Sequence, residues 1–553
     1  MSTETVQYLL PELLLVLSAT LIYVMGTFVR SRTIWSWAAA AALAAAGGLL
    51  FWQTQQSPAE DGVNISGPMV VDLLSEFVRP LAVAIGLLFV PLSARMARGP
   101  HAPEFMGSLL LIIAGTMFAG GSNELVLLFL GLELISIPTY ILLYMGRRDA
   151  ASQESATKYF FLSILSSAVL LYGFSFLYGV TGSTRLNEIA AAMAEQTADG
   201  PWRSLACLAM VLIFAGLGFR IAAAPFHFYA PDVYQGTTHV NAALLSVIPK
   251  VAGMVGLVRV IAMAMPGLED FSWRLMFILS ILTMTWGNVS ALWQTNLRRL
   301  LAYSSIAHAG YMMIGLTVGL AFATETDAVR FDGIGAMLFY LAIYCVATAG
   351  AFAALTYLGS EDGAGGSAQS GPAYSGIARS NGIARSDIST IDDLAGVGRT
   401  RPLAGIALSI LMFSLAGVPP LAGFWGKFTL FGSAVGIEPS HRLWPWFIAL
   451  AVIGVLNAAI AAAYYLRIIA AMYFRPALAT PPAMGGRGAW VAMLACSLLV
   501  LGLGLFPGQL IRGANHASEA VQLSRPAGSL PSSGEFRRAE KADTARRKTA
   551  SAE

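Results

Sequence analysis

Apolar runs of about 20 residues, the length needed to cross roughly 30 Å of hydrocarbon, recur along this chain. They fall near 8–29, 34–52, 70–93, 104–121, 124–146, 158–180, 204–228, 238–264, 273–293, 300–320, 333–357, 402–432, 444–473 and 488–510, fourteen in all. Most of the polar positions between them form short loops. The pattern predicts an all-α integral membrane protein, a single bundle of about 14 transmembrane helices. Two stretches break the rhythm. Residues 359–401 are rich in Gly, Ser and Ala, and Gly376-Ile377-Ala378-Arg379-Ser380 recurs as Gly382-Ile383-Ala384-Arg385-Ser386, which reads as a flexible cytoplasmic insertion. Residues 513–553 are polar and Arg-rich and are expected to be a disordered tail.

Composition agrees: 56% of the 553 residues are hydrophobic and only 12% are charged, a balance foreign to soluble domains. Glu4 and Glu12 precede or interrupt the first apolar run without a basic n-region, so that run reads as a first span and not as a cleaved signal. A net charge of +3, spread over loops, leaves no nucleic-acid footprint. Cys207, Cys345 and Cys496 stand alone in apolar runs, without the spacing of a zinc, iron–sulfur or disulfide site. Nor does a Gly-x-Gly-x-x-Gly motif open a strand–helix unit, or a nucleophile sit with a His and an acid. If redox chemistry drives this protein, a partner must supply it.

Loop charges orient the bundle. Arg30, Arg32, Arg95, Arg98, Arg147, Arg148, Arg298, Arg299, Arg379, Arg385, Arg399, Arg401, Arg475 and Arg487 lie in one set of loops, against Arg185, Arg203, Arg330 and Arg442 in the other. The first set is therefore expected in the cytoplasm and both termini outside. The basic tail, with Arg537, Arg538 and Lys541, runs against that parity.

Glu133, Lys158, Arg220, His227, Lys250 and Lys427 are ionisable groups inside otherwise apolar stretches. A charge at a helix centre costs about 2.5–3.5 kcal/mol on insertion scales, so several of them on separate spans mark an ion or proton path. Glu133 has apolar neighbours for a turn on both sides and must be paired or protonated. Lys250 follows Pro249 deep within its span, too far from either end to snorkel easily, and a lysine there can load and release a proton. Lys427 is nearer the end of its span, and Lys158 opens its own, so snorkelling and interfacial anchoring are their alternatives. His227 follows Pro225 and His308 sits two turns into a span beside Ser304 and Ser305; each is a relay or a hydrogen-bonded core histidine. His239 has a weaker claim. Arg220 precedes Pro225 by five residues and Lys427 follows Pro419-Pro420 by seven. Each half of the bundle thus has a charge beside an interrupted helix, the way transporters with internal repeats build midplane sites. Met and aromatic residues recur at helical spacing and read as packing.

The motifs Pro225-Phe226-His227, Ala230-Pro231-Asp232-Val233-Tyr234-Gln235-Gly236, Gln294-Thr295-Asn296-Leu297-Arg298-Arg299-Leu300-Leu301-Ala302-Tyr303-Ser304-Ser305-Ile306-Ala307-His308 and Ser414-Leu415-Ala416-Gly417-Val418-Pro419-Pro420-Leu421-Ala422-Gly423-Phe424-Trp425-Gly426-Lys427-Phe428 resemble the subunit N family of bacterial NADH:quinone oxidoreductase, respiratory complex I. The resemblance spans about residues 104–473. It implies an antiporter-like, proton-translocating subunit of the membrane arm with two inverted five-helix repeats and broken seventh and twelfth helices. The expected units are 1–103 (spans 1–3), 104–264 (first repeat), 265–473 (second repeat, with the insertion 359–401), 474–512 (last helix) and 513–553 (tail). Glu133, Lys250 and Lys427 are implied as the proton-path residues of the fifth, eighth and twelfth spans. Other membrane-arm subunits are the implied partners and the bacterial inner membrane the location. NADH, FMN, iron–sulfur clusters and quinone are expected in partner subunits, with no cofactor or metal in this chain. The family usually has Lys where Arg220 stands. The alternatives are a subunit of a multisubunit Na+/H+ antiporter or membrane-bound hydrogenase, and a scaffold whose buried charges are static pairs.

Overall fold

The computed structural model describes residues 3–29, 33–56, 63–94, 101–146, 149–195, 200, 202–323, 329–359, 388–477 and 485–523. The chain is nearly all helix. In order it forms α1 (Thr3–Gly26), α2 (Ile34–Gln56), the antiparallel hairpin β1 (Val63–Ser66) and β2 (Met69–Asp72), α3 (Leu73–Leu92), α4 (Ala102–Gly120), α5 (Leu125–Gly146) and α6 (Ala150–Thr181). Then come α7 (Leu186–Glu195), α8 (Trp202–Ile221), α9 (Ala230–Gly236), α10 (His239–Leu257), α11 (Glu269–Leu292), α12 (Leu297–Ala321) and α13 (Gly333–Leu358). The chain closes with α14 (Val397–Thr400), α15 (Pro402–Ala416), α16 (Ala422–Val435), α17 (Trp444–Phe474), α18 (Gly486–Leu505) and α19 (Gly508–Leu523).

Among the described residues, 13 helices are long and apolar enough to cross a membrane. With α15 and α16, which together make one interrupted span, the bundle has the fourteen crossings the hydropathy pattern predicts. Helices are the natural solution because each satisfies its own backbone groups where water cannot. Helix starts carry polar caps: Ser75 N–H donates to Asp72 Oδ1 (2.9 Å) at α3, Ser152 N–H to Asp149 Oδ1 (2.8 Å) at α6, Asn241 N–H to Thr238 Oγ1 (3.2 Å) at α10 and Arg299 N–H to Asn296 Oδ1 (3.1 Å) at α12. The middle of the bundle is α10, α12 and α13, buried on nearly every face, while α1, α2, α6 and α17 present large apolar residues outward.

Four expectations are corrected. The sixth span opens at Ala150 and not at 158, because the Asp149 cap carries the helix through the polar stretch 152–155; Lys158 therefore lies two turns inside it. The third span opens at Leu73, after a hairpin that hydropathy could not reveal. Within the 359–401 insertion, Ile388–Arg401 is ordered, with a 3₁₀ turn (Ile391–Leu394) and α14 whose Ile388, Ile391, Leu394 and Val397 are buried; 360–387 lie outside the described residues. The polar tail expected from 513 instead continues the helix α19 to Leu523, because Ala514, Ala517, Ala520 and Val521 recur at three- to four-residue spacing and bury one stripe against α3 and α13. Residues 524–553 lie outside the described residues.

Candidate functional site

Both interrupted spans are completed by side chains. α8 stops at Ile221, Ala222 takes φ 56°, and Pro225 follows. The Ala224 N–H freed there donates to Thr283 Oγ1 of α11 (3.0 Å), and the Phe219 carbonyl accepts the Tyr229 hydroxyl (3.0 Å). In the twelfth span α15 ends at Gly417, whose φ of 93° favours glycine. Here Lys427 turns back on the break: its Nζ donates to the carbonyls of Leu415 (3.0 Å) and Ala416 (2.8 Å), the last orphan acceptors of α15. Lys427 is 5% exposed, so its ammonium does not snorkel.

At the seventh-span break, Arg220 Nη2 donates to Glu133 Oε1 at 2.7 Å and to Ser167 Oγ at 2.9 Å. Ser167 in turn donates to Glu133 Oε1 at 2.5 Å. Nη1 reaches the Leu132 carbonyl (3.3 Å) and the Ser136 hydroxyl. Three helices, α5, α6 and α8, are thus knotted around one ion pair, and the polar Ser136 and Ser167 supply the lone pairs that such a pair needs in a low dielectric.

Next along the bundle is Lys250 on α10. A Cβ on Gly253, one turn from Lys250, would stand 3.2 Å from Arg220 Cβ and 2.5 Å from Ile221, so glycine lets α10 lie against the seventh-span break. Lys250 Nζ donates to Ser305 Oγ (2.6 Å) of α12, and Tyr344 of α13 places its hydroxyl 2.8 Å from the same oxygen. One turn further on α12, His308 is held on both nitrogens: Nδ1 lies 2.5 Å from the Tyr340 hydroxyl and Nε2 2.9 Å from that of Tyr465. Lys427 Nζ stands 5.1 Å from the centre of the Tyr311 ring, whose hydroxyl accepts from Asn288 (2.8 Å). The half-buried Glu133 and the buried Arg220, Lys250, His308 and Lys427 therefore lie along one polar line through both halves of the bundle.

The remaining candidates lie apart from that line. Lys158 is 40% exposed and pairs with Glu154 (2.7 Å) on its own helix and with Asp232 (3.0 Å) of α9; Asp232 also holds Arg299 of α12 at 2.6 Å. This ties the lower half of the broken span to both repeats at the bundle's rim. His227 packs its ring edge to face with the exposed Trp286, and its Nδ1 has no hydrogen-bond partner among the described residues. His239 is buried at the start of α10.

Sequence reading missed two further buried pairs. Arg79 of α3 grips Glu12 of α1 (2.7 and 2.9 Å), and Arg259 grips Asp72 (2.5 and 2.7 Å) and the Gly120 carbonyl, at the point where α10 loosens into a π-helical turn, Val258–Met263. It also passed over Tyr340, Tyr344 and Tyr465. The signals were present as a charge in an apolar run for each Arg and, for the tyrosines, as hydroxyls at mid-span.

A multi-span helical protein with a broken helix and a buried basic group in each half has the architecture of the antiporter-like membrane proteins. Residues 122–456 match the family model described as NADH:quinone oxidoreductase/Mrp antiporter, TM. NADH-quinone oxidoreductase subunit N of Trichlorobacter lovleyi is 36% identical over 481 residues, 86% of this chain and 88% of its own length. Among solved structures, a chain of respiratory complex I from Thermus thermophilus with bound aureothin superposes with a TM-score of 0.70 at 30% identity, covering 91% of this chain and 98% of that one. A chain of the Mrp complex from Dietzia sp. shares the fold, with a TM-score of 0.75 at 20% identity over 95% of this chain and 98% of its own. The chain belongs to the subunit N family of NADH-quinone oxidoreductase, antiporter-like proton-translocating subunits of the membrane arm of complex I.

Proposed function

We propose that protons cross this subunit along the polar line Glu133–Arg220, Lys250, His308, Lys427, driven by electron transfer from NADH to quinone in other subunits of the complex. The observation that carries this reading is the pairing pattern. Lys250 and Lys427, both buried, are held by neutral oxygens and not by carboxylates, so either can give up its proton without stranding a buried anion. Arg220 keeps its charge at any physiological pH and serves as the fixed positive partner of Glu133. Lys158 and Asp232 brace the half-helix α9 at the rim, and His227 has no part in the line.

The subunit itself is non-redox in this reading: NADH, FMN, iron–sulfur clusters and quinone belong to partner subunits. The bacterial inner membrane is its setting, with the Arg298/Arg299 end of the bundle in the cytoplasm and the end bearing β1–β2 and α19 outside, as loop charge suggests. The test is to purify the native assembly through a tag on this chain and reconstitute it in vesicles. NADH oxidation coupled to acidification of the lumen is expected. Sodium–proton exchange without NADH oxidation would instead support the antiporter alternative, whose fold this chain shares.

A further inference from the structure

His308 is bracketed by hydroxyls that lead in two different directions, and the reading above uses only one of them. On the Nε2 side, the Tyr465 hydroxyl of α17 lies 2.9 Å away and is hydrogen-bonded in turn to the hydroxyl of Ser304. Ser304 and His308 stand four residues apart on one face of α12, so Tyr465 bridges one helical turn. Ser304 is seven residues, about 10 Å, from the α12 start at Leu297. That end of the bundle also carries Arg299, paired with Asp232, and Arg467, two residues beyond Tyr465, which donates to the Leu292 carbonyl at 2.8 Å. On the Nδ1 side, Tyr340 of α13 lies 2.5 Å from the ring and packs on the residue before Lys427: a Cβ on Gly426 would come within 2.3 Å of Tyr340 Cδ2.

We propose that Ser304, Tyr465, His308 and Tyr340 form a second proton inlet that loads Lys427 from the α12/α17 edge of the bundle, a loading step that each pumping cycle requires alongside the one at Lys250. The proposal rests on the proton-translocation reading given above. A neutral imidazole donates from one nitrogen and accepts at the other. A proton delivered from Ser304 to the Tyr465 oxygen displaces that hydroxyl's own proton onto Nε2. The imidazolium then releases its Nδ1 proton to Tyr340, which passes its own toward Lys427. One proton enters, one leaves, and no group keeps a net charge; reset requires only that the hydroxyls and the ring regain their first orientation. Such a chain needs its three hydroxyls and no carboxylate, which fits a second half whose described spans bury Lys427 without an acidic partner.

The test is proton translocation per NADH oxidised by the reconstituted complex, at matched assembly, for Tyr465→Phe, Ser304→Ala, Ser304→Thr and Tyr473→Phe. Tyr473 lies two turns beyond Tyr465 on α17 and packs against Gly398 and Gly405, off the inlet. Loss of the Tyr465 hydroxyl is expected to lower translocation about tenfold, less than the ~100-fold of a positioned acid–base group because water can enter the vacated space. The solvent deuterium isotope effect should change with it, which a packing defect would not cause. Ser304→Ala should follow, Ser304→Thr should retain flux, and Tyr473→Phe should match the wild type. Wild-type translocation in Tyr465→Phe overturns the inlet; should that variant not assemble, equal flux in Ser304→Ala and Ser304→Thr overturns it. If Lys250→Ala stops pumping while Tyr465→Phe does not, the inlet falls and the main path stands. If neither matters, the main path falls.

Discussion

Arg220 and Glu133 meet at 2.7 Å across the gap between α8 and α5, with Ser167 hydrogen-bonded to both. The contact lies in the last turn of α8, at the seventh-span break, and it converts two charges that hydrocarbon would reject into a neutral unit. The guanidinium makes more contacts than a lysine ammonium could, reaching Glu133, Ser167, Ser136 and the Leu132 carbonyl together.

Arg220→Lys should therefore keep most proton translocation, since the positive charge stays within reach of Glu133. Arg220→Ala leaves the half-buried Glu133 carboxylate with only the Ser167 hydroxyl, a loss below the roughly 3–5 kcal/mol of a fully buried pair, and should lower both assembly and pumping. Vesicle acidification at matched assembly checks this; wild-type stoichiometry in Arg220→Ala would make the charge dispensable.

Glu133 tests the same pair from the other side. Glu133→Gln keeps the shape but removes the charge that Arg220 needs, while Glu133→Asp keeps the charge one methylene further away. Pumping should fall more in the Gln variant than in the Asp variant. Equal activity of the two would count against an electrostatic role.

How far the chain could be read without its structure depended on whether a residue's role is local. The spans were legible because apolar length is a local property, and Glu133, Lys250 and Lys427 stood out as charges within those runs. Asp149 extends α6 by two turns beyond the apolar window, which moved Lys158 from an imagined entrance into a rim ion pair with Asp232. Tyr340, Tyr344 and Tyr465 were hidden because a tyrosine at helical spacing looks the same whether its hydroxyl packs against lipid or against His308. Asp72 and Arg259 are 187 residues apart, and no periodicity links them. α19 escaped notice because its mean composition is polar and only the spacing of Ala514, Ala517, Ala520 and Val521 reveals a buried stripe.

The Asp72–Arg259 pair is expected to be structural. Arg259→Leu alone strands Asp72, 2% exposed, and should destabilise the subunit by about 3–5 kcal/mol. Asp72→Asn combined with Arg259→Leu should recover most of that loss, because Asn still caps α3 and no buried charge remains. Thermal unfolding of the purified complex would show a double variant more stable than Arg259→Leu, with unchanged pumping per assembled complex. A double variant no better than the single would contradict a simple pair.

At the N-terminal end of α13, Asp332 accepts hydrogen bonds from the N–H groups of Ile334 and Gly335, both at 3.0 Å, and from the Ser518 hydroxyl of α19. Burial there pushes its carboxyl above the usual range, against the opposing effect of those hydrogen bonds. The folded state therefore holds this proton more tightly than the unfolded chain, so its stabilisation is fullest below the ordinary carboxylate value near ~3.9 and is lost as pH rises through the raised one. Protection of α19 from proteolysis should decline in the wild type as pH rises above about 4 and decline less in Asp332→Asn. Protection that grows with pH would contradict this.

Lys250 is the group on which the whole path turns: 1% exposed, held by Ser305, and placed between the seventh-span break and His308. Its direct test is proton translocation per NADH oxidised by Lys250→Ala complex in sealed vesicles, at an assembly level equal to the wild type. A fall of about tenfold or more, equivalent to roughly 1.4 kcal/mol at the transfer step, is the expected result. Assembled Lys250→Ala complex that pumps at the wild-type stoichiometry would show that protons do not pass through this site.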